Sequence, residues 1–167
     1  MSAQPLIETL EKILLLHQSL TQLAQQKTEK IKTGDTDALN ELLKEEKKHI
    51  QVIQKFEAER IQASKIFLSK CNEDFANSVQ NPTISDCLQY ADSSEQQKLT
   101  KIKAELQTQI NALSDRNKLN QQLLQQSLQF VNLSLDLLTP DIDAYNYGRP
   151  GQAEQYEEGR SIFNSKA

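Results

Sequence analysis

The stretch Lys30–Glu46, KIKTGDTDALNELLKEE, decides how this chain folds. Gly34 sits in its middle, and the next glycine is Gly148. Glycine ends a helix at low cost because it tolerates the left-handed conformation. Asp35 or Thr36 can then cap a new helix through a side-chain oxygen. A link this short between two helical patterns implies that the two helices pack antiparallel.

Outward from Gly34, the helix breakers mark the remaining boundaries. Prolines stand at Pro5, Pro82, Pro140 and Pro150, and the other glycines at Gly148, Gly151 and Gly159. Residues 6–33, 35–81 and 83–139 are therefore unbroken runs, rich in the good helix formers Leu, Gln, Lys and Glu. Pro5 suits the first turn of a helix, where its missing amide proton costs nothing. The first helix, about 5–33, carries Leu6, Leu10, Ile13, His17, Leu20, Ala24 and Ile31 at three- and four-residue spacing, widened by Leu14, Leu16 and Leu23. Lys27, Lys30 and Lys32 gather near its end, where cations suit the helix dipole. A second helix, about 36–72, carries Leu39, Leu42, Leu43, Ile50, Ile53, Phe56, Ile61 and Phe67. The pattern fades after Cys71, so NEDFANSVQNPTISD reads as a frayed end and a loop, with a short helix within 84–92. Ser93 or Ser94 can cap a third helix, about 94–139, whose nearly heptad seam includes Leu99, Ile102, Leu106, Ile110, Leu113, Leu124, Val131, Leu135 and Leu138. The fold class is all-α: long antiparallel helices in an elongated three-helix bundle or coiled-coil-like hairpin. Residues 1–140 form the helical domain and 141–167 a flexible tail.

Composition narrows the function. Hydrophobic residues make up 37% of the 167 residues, below the ~45–50% of a typical globular chain, which favours narrow apolar seams. Aromatics are 5% with no Trp, which weakens a ligand-stacking role. A net charge of −4 argues against nucleic acid, because phosphate contacts need a basic face. The start MSAQPLIETLEK lacks a basic segment before an apolar core, and no run approaches ~18 apolar residues. A cytoplasmic location without membrane insertion is expected. Cys71 and Cys87 read as reduced thiols. Glu46-Lys47-Lys48-His49 is an ExxH, the element that di-metal bundles use in pairs with two further carboxylates. The only other histidine is His17, so a solvated Glu/His pair is expected and no metal or cofactor. No phosphate cradle, GxSxG or triad pattern is present, and the chain is not expected to be an enzyme.

One segment stands apart. Residues 119–135, LNQQLLQQSLQFVNLSL, contain no charged side chain in a chain that is 25% charged. Apolar residues occupy two stripes there. Leu124, Leu128, Val131, Leu135 and Leu138 continue the seam, while Leu119, Leu123, Phe130 and Leu137 lie about 100° around the helix. One stripe can close the bundle while the other serves a partner helix; alternatively, both are core of a three-helix bundle. Asn117 and Asn120 interrupt the seam, where such residues set register or partner choice, or simply hydrogen-bond within the bundle.

The chain resembles the FlgN family of bacterial flagellar export chaperones. The resemblance rests on the Gly34-Asp35 junction followed by Leu39, an acidic stretch and Glu59-Arg60; on NKLNQQLL at 117–124; and on a tail with Tyr147-Gly148 and a closing SIFNSKA. It implies a cytoplasmic chaperone that covers a helical terminal segment of hook-associated (hook–filament junction) proteins, prevents premature assembly and brings them to the flagellar export gate. With that reading, Asn117, Leu119, Asn120, Leu123, Phe130 and Leu137 are the expected client-binding residues. Tyr145 and Tyr147 are the expected gate-docking residues, since a Tyr in an unstructured segment offers both area and a hydroxyl. A self-associating coiled-coil adaptor is the alternative, and the oligomeric state stays open.

Overall fold

The computed structural model describes residues 2–138, and among them it contains five α-helices and no strand. These are α1 (Gln4–Thr33), α2 (Thr36–Cys71), α3 (Glu73–Ser78), α4 (Ile84–Leu88) and α5 (Ser93–Leu138). The three long helices match the spans expected from the breakers to within about a residue at each end. The tail expected at 141–167, with Tyr145 and Tyr147, lies outside the described residues.

The α1–α2 junction works as its chemistry dictates. Gly34 has φ 70°, and no atom would crowd a Cβ there, so glycine is required by backbone conformation rather than by space. The Gly34 amide donates to Ile31 O at 3.2 Å and the Asp35 amide to Lys30 O at 3.1 Å, which satisfies the last turn of α1. Asp35 Oδ1 then accepts from the Ala38 amide at 3.1 Å. That bond, aided by Lys30, holds the Asp35 carboxyl below the usual carboxylate range.

Two local expectations are corrected. The segment after Cys71 does not fray: Asn72 Oδ1 accepts from the Phe75 amide at 3.1 Å and starts α3. Phe75 then sits 6.1 Å from the Tyr90 ring, a tertiary contact that helps hold so short a helix. At the start of α5 the cap is Asp92 rather than Ser93 or Ser94, its Oδ1 accepting from the Glu95 amide at 2.8 Å. The short helix expected within 84–92 is α4, opened by a capping box in which Thr83 and Asp86 exchange bonds.

Cross-links establish the directions of the long helices. Lys12 lies over the Phe56 ring and Ser19 bonds His49, and the two residue numbers add to 68 in both pairs. A constant sum means α1 and α2 are antiparallel. The Ala3 amide donates to Glu95 and Thr28 donates to Asn120, both with a separation of 92. A constant difference means α5 runs parallel to α1. The core collects where α1 begins, from Leu6, Ile7, Leu10, Ile13 and Leu14 of α1, Phe67 and Leu68 of α2, Cys87 of α4, and Leu99, Ile102 and Leu106 of α5. Along α2 the expected seam is only partly core. Phe67 is buried, Ile53, Phe56 and Ile61 are half-buried, and Leu43 and Ile50 are exposed. The end of α2 is better covered because α3 and α4 pack on this helix. Both cysteines are free, and burial pushes the Cys87 thiol up.

By contact the chain divides into residues 1–128 and 129–167. The described part of the second unit is the last ten residues of α5, 129–138.

Candidate partner-binding surface on the third long helix

The seam of α5 starts as a core element and ends as a surface. Leu99, Ile102 and Leu106 are buried and Leu113 is half-buried. Asn120 is the last buried side chain of α5 among the described residues. Beyond it, no side chain from Gln121 to Leu137 is buried. The seam residues Leu124, Leu128, Val131 and Leu135 are exposed, Leu128 at 62%. On the second stripe, Phe130 is 70% and Leu137 76% exposed, while Leu119 is exposed and Leu123 half-buried. For Leu124 and Leu128 the register supplies the reason. At a separation of 92, Thr33 at the end of α1 stands level with Gln125. The last buried apolar residues of α1, Leu23 and Ala24, stand level with Asp115 and Arg116. The last apolar residue of α1, half-buried Ile31, stands level with Leu123, so α1 offers none for Leu128 to meet.

Of the residues proposed from sequence, Asn117, Leu119, Phe130 and Leu137 are on the surface and Leu123 is at its edge. Asn120 is inside. Its Nδ2 donates to Ala24 O at 2.9 Å, and its Oδ1 accepts from the Thr28 hydroxyl at 2.6 Å. Asn120 therefore pins the register of α5 on α1 and supports the surface from beneath.

Beside it lies a polar layer that sequence reasoning misplaced. Lys27, expected to serve the helix dipole, is buried and donates to both oxygens of Glu46 at 2.7 and 2.8 Å. His49 Nδ1 donates to Glu45 O at 2.9 Å, which leaves Nε2 to accept from the Ser19 hydroxyl at 2.8 Å. The Glu46 and His49 of the ExxH thus join α2 to α1 rather than forming a solvated pair. A signal was present: Lys27 falls between Ala24 and Ile31 at the three- and four-residue spacing of the buried stripe. His17, on the same stripe, is half-buried, and burial lowers its pKa against the opposing pull of Glu57. Among the described residues no cluster of His, Cys, Asp and Glu could hold a metal ion, and no helix is long and apolar enough to cross a membrane.

Residues 1–155 match the family described as FlgN protein. The chain belongs to the FlgN family. It is also 34% identical over 168 residues, covering 100% of both chains, to a Bacillus subtilis (strain 168) protein described as uncharacterized protein YvyG. No solved structure matches the chain. Membership of the FlgN family makes it a flagellar export chaperone, a binding class and not an enzyme class.

Proposed function

We propose that this FlgN-family chain is a cytoplasmic chaperone that holds the helical terminal segment of a hook-associated protein on the last turns of α5. It keeps that segment from assembling early and delivers it to the flagellar export gate. The observation that carries this reading is the exposed apolar surface of α5 over the uncharged run 119–135, where Leu128, Phe130 and Val131 are all open to solvent. A soluble protein gains nothing from such residues unless a partner covers them. An amphipathic helix with anchors three and four residues apart matches their spacing. Burying roughly 500 Å² of apolar area yields a gross gain on the order of 12 kcal/mol per side, much of it offset by ordering and association. The remainder suits a carrier that must release. Tyr145 and Tyr147 are proposed to serve delivery rather than capture.

The test uses the purified chain and a purified hook–filament junction protein. Leu123→Lys with Phe130→Lys should abolish binding while circular dichroism and thermal melting stay unchanged, and Val131→Lys should behave in the same way. Unchanged affinity would move the client elsewhere. Self-association through the same uncharged segment, undisturbed by the junction protein, would favour the coiled-coil adaptor instead. Tyr145→Ala with Tyr147→Ala should spare binding and reduce secretion.

A further inference from the structure

The second stripe of α5 is more regular than its four leading residues suggest. Leu133, also exposed, falls on the same line. Leu119, Leu123, Gln126, Phe130, Leu133 and Leu137 then succeed one another at alternating spacings of four and three. That alternation is a heptad repeat, which sets one helix face against a partner helix. Five of the six positions are apolar. Gln126 interrupts them near the centre, with two apolar residues before it and three after.

Gln126 lies about 120° around the helix from Asn120, the residue that bonds α1, so it faces away from that helix. It is exposed, and among the described residues no hydrogen bond or ion pair engages it. Ser127 and Ser134, between the two stripes, give their hydroxyls to Leu123 O at 2.9 Å and Phe130 O at 2.8 Å. Gln126 is therefore the polar side chain of the stripe that keeps both donors and an acceptor for a partner. No charged side chain of α5 lies near it. The nearest, Lys118 and Asp136, are about 12 and 15 Å away along the axis. At the separation of 92, α1 has reached Gly34 beside Gln126. The last cations of α1, Lys30 and Lys32, are matched by Asp35 and Glu29.

A helix laid on this stripe takes the Gln126 amide out of water. An apolar residue opposite would leave the amide unpaired, and a charged one would be covered with no counter-charge at hand. A second amide matches donor to acceptor in both directions. A polar residue inside an apolar heptad stripe lowers stability but fixes register and partner. We propose that Gln126 is the specificity-determining residue of this surface, and that the helix seated there carries an asparagine or glutamine opposite it within an otherwise apolar stripe. This rests on the reading that the α5 surface holds the helical terminal segment of a hook-associated protein.

The test uses three labelled helical peptides of about 21 residues, or three heptads, long enough to hold a helix. All carry leucine along the stripe and alternating lysine and glutamate on the far face. They differ only at the central stripe position, which is glutamine, leucine or glutamate. By fluorescence anisotropy, the full chain should bind the glutamine peptide about tenfold more tightly than either of the others. Gln126→Leu should reverse the order of the glutamine and leucine peptides, and Phe130→Lys should abolish binding of all three. Gln126 is exposed, so Gln126→Leu should melt with the wild type, which is checked alongside. Three results overturn the proposal: no peptide bound, the same peptide ranking for wild type and Gln126→Leu, or binding that survives Phe130→Lys. The purified junction protein separates this inference from the reading beneath it. If Phe130→Lys releases that protein while wild type and Gln126→Leu hold it equally, the client site stands and the role of Gln126 falls. If the junction protein does not bind while the peptides rank as expected, the amide preference stands and the hook-associated client falls.

Discussion

Where α1 begins, Leu6, Ile7 and Leu10 share one apolar cluster with Phe67, Leu68 and Leu99. Where α1 nears its end, Lys27, Thr28, Glu46 and Asn120 occupy the interior instead. The same three long helices thus build two kinds of core. Apolar burial is strong but non-directional, so it stabilises without choosing among registers. Buried polar groups add little net stability, yet they leave donors and acceptors unmatched in any other register. The first end carries most of the stability, and polar bonds at both ends, Ala3 to Glu95 and Thr28 to Asn120, set the alignment of α5 on α1.

The comparison breaks if the apolar end proves dispensable. Leu68 is 0% exposed, and Leu68→Ala should lower unfolding free energy by about 3 kcal/mol, as cavity-forming changes do. Urea denaturation measures it, and a loss below about 1 kcal/mol would put the stability elsewhere.

At the polar end, Lys27→Ala strands a Glu46 carboxylate that is 15% exposed, at a cost of about 2 kcal/mol. Lys27→Met with Glu46→Leu should recover most of that loss, because the pair itself contributes little net stability. A double variant no better than the single would show that the ion pair is itself a major stabiliser.

Asn120→Ala should cost about 1.5 kcal/mol by removing its buried bonds to the Thr28 hydroxyl and the Ala24 carbonyl, which keep only each other. Its larger effect should be on order, with weaker amide protection from Leu113 to Leu123 in hydrogen exchange. Uniform loss of protection along α5 would deny the register role.

The smallest effect concerns His17. Burial depresses its folded pKa below the ordinary 6.5, so the unfolded chain binds the proton first. Stability is complete above that value and declines as pH falls through it. The melting temperature should drop more between pH 7.5 and pH 5 for the wild type than for His17→Gln. Identical drops would show that the histidine is neutral to folding.

Much of the fold was legible because its signals are local. Gly34 must turn left-handed wherever the helix ends, Asp35 reaches its own third neighbour, and Pro5 belongs in a first turn. The site was legible in part: the uncharged run 119–135 marked the right segment of α5. Asp92 went unread because two serines followed it, and α3 because its support comes from Tyr90, eighteen residues beyond Asn72.

The sequence by itself determined where each long helix starts and stops, since caps and breakers act within one turn. It also determined that residues 119–135 of α5 carry no charged side chain. Only the tertiary structure decided which residues of those helices are core. A stripe is buried only where a neighbour stands opposite it, and that depends on helix direction and offset, which spacing along one helix does not encode. Leu106 and Leu124 look alike in sequence, yet one is buried and the other exposed. Lys27 and Asn120 looked like surface or seam until the offset of 92 and the antiparallel partner gave each of them a mate.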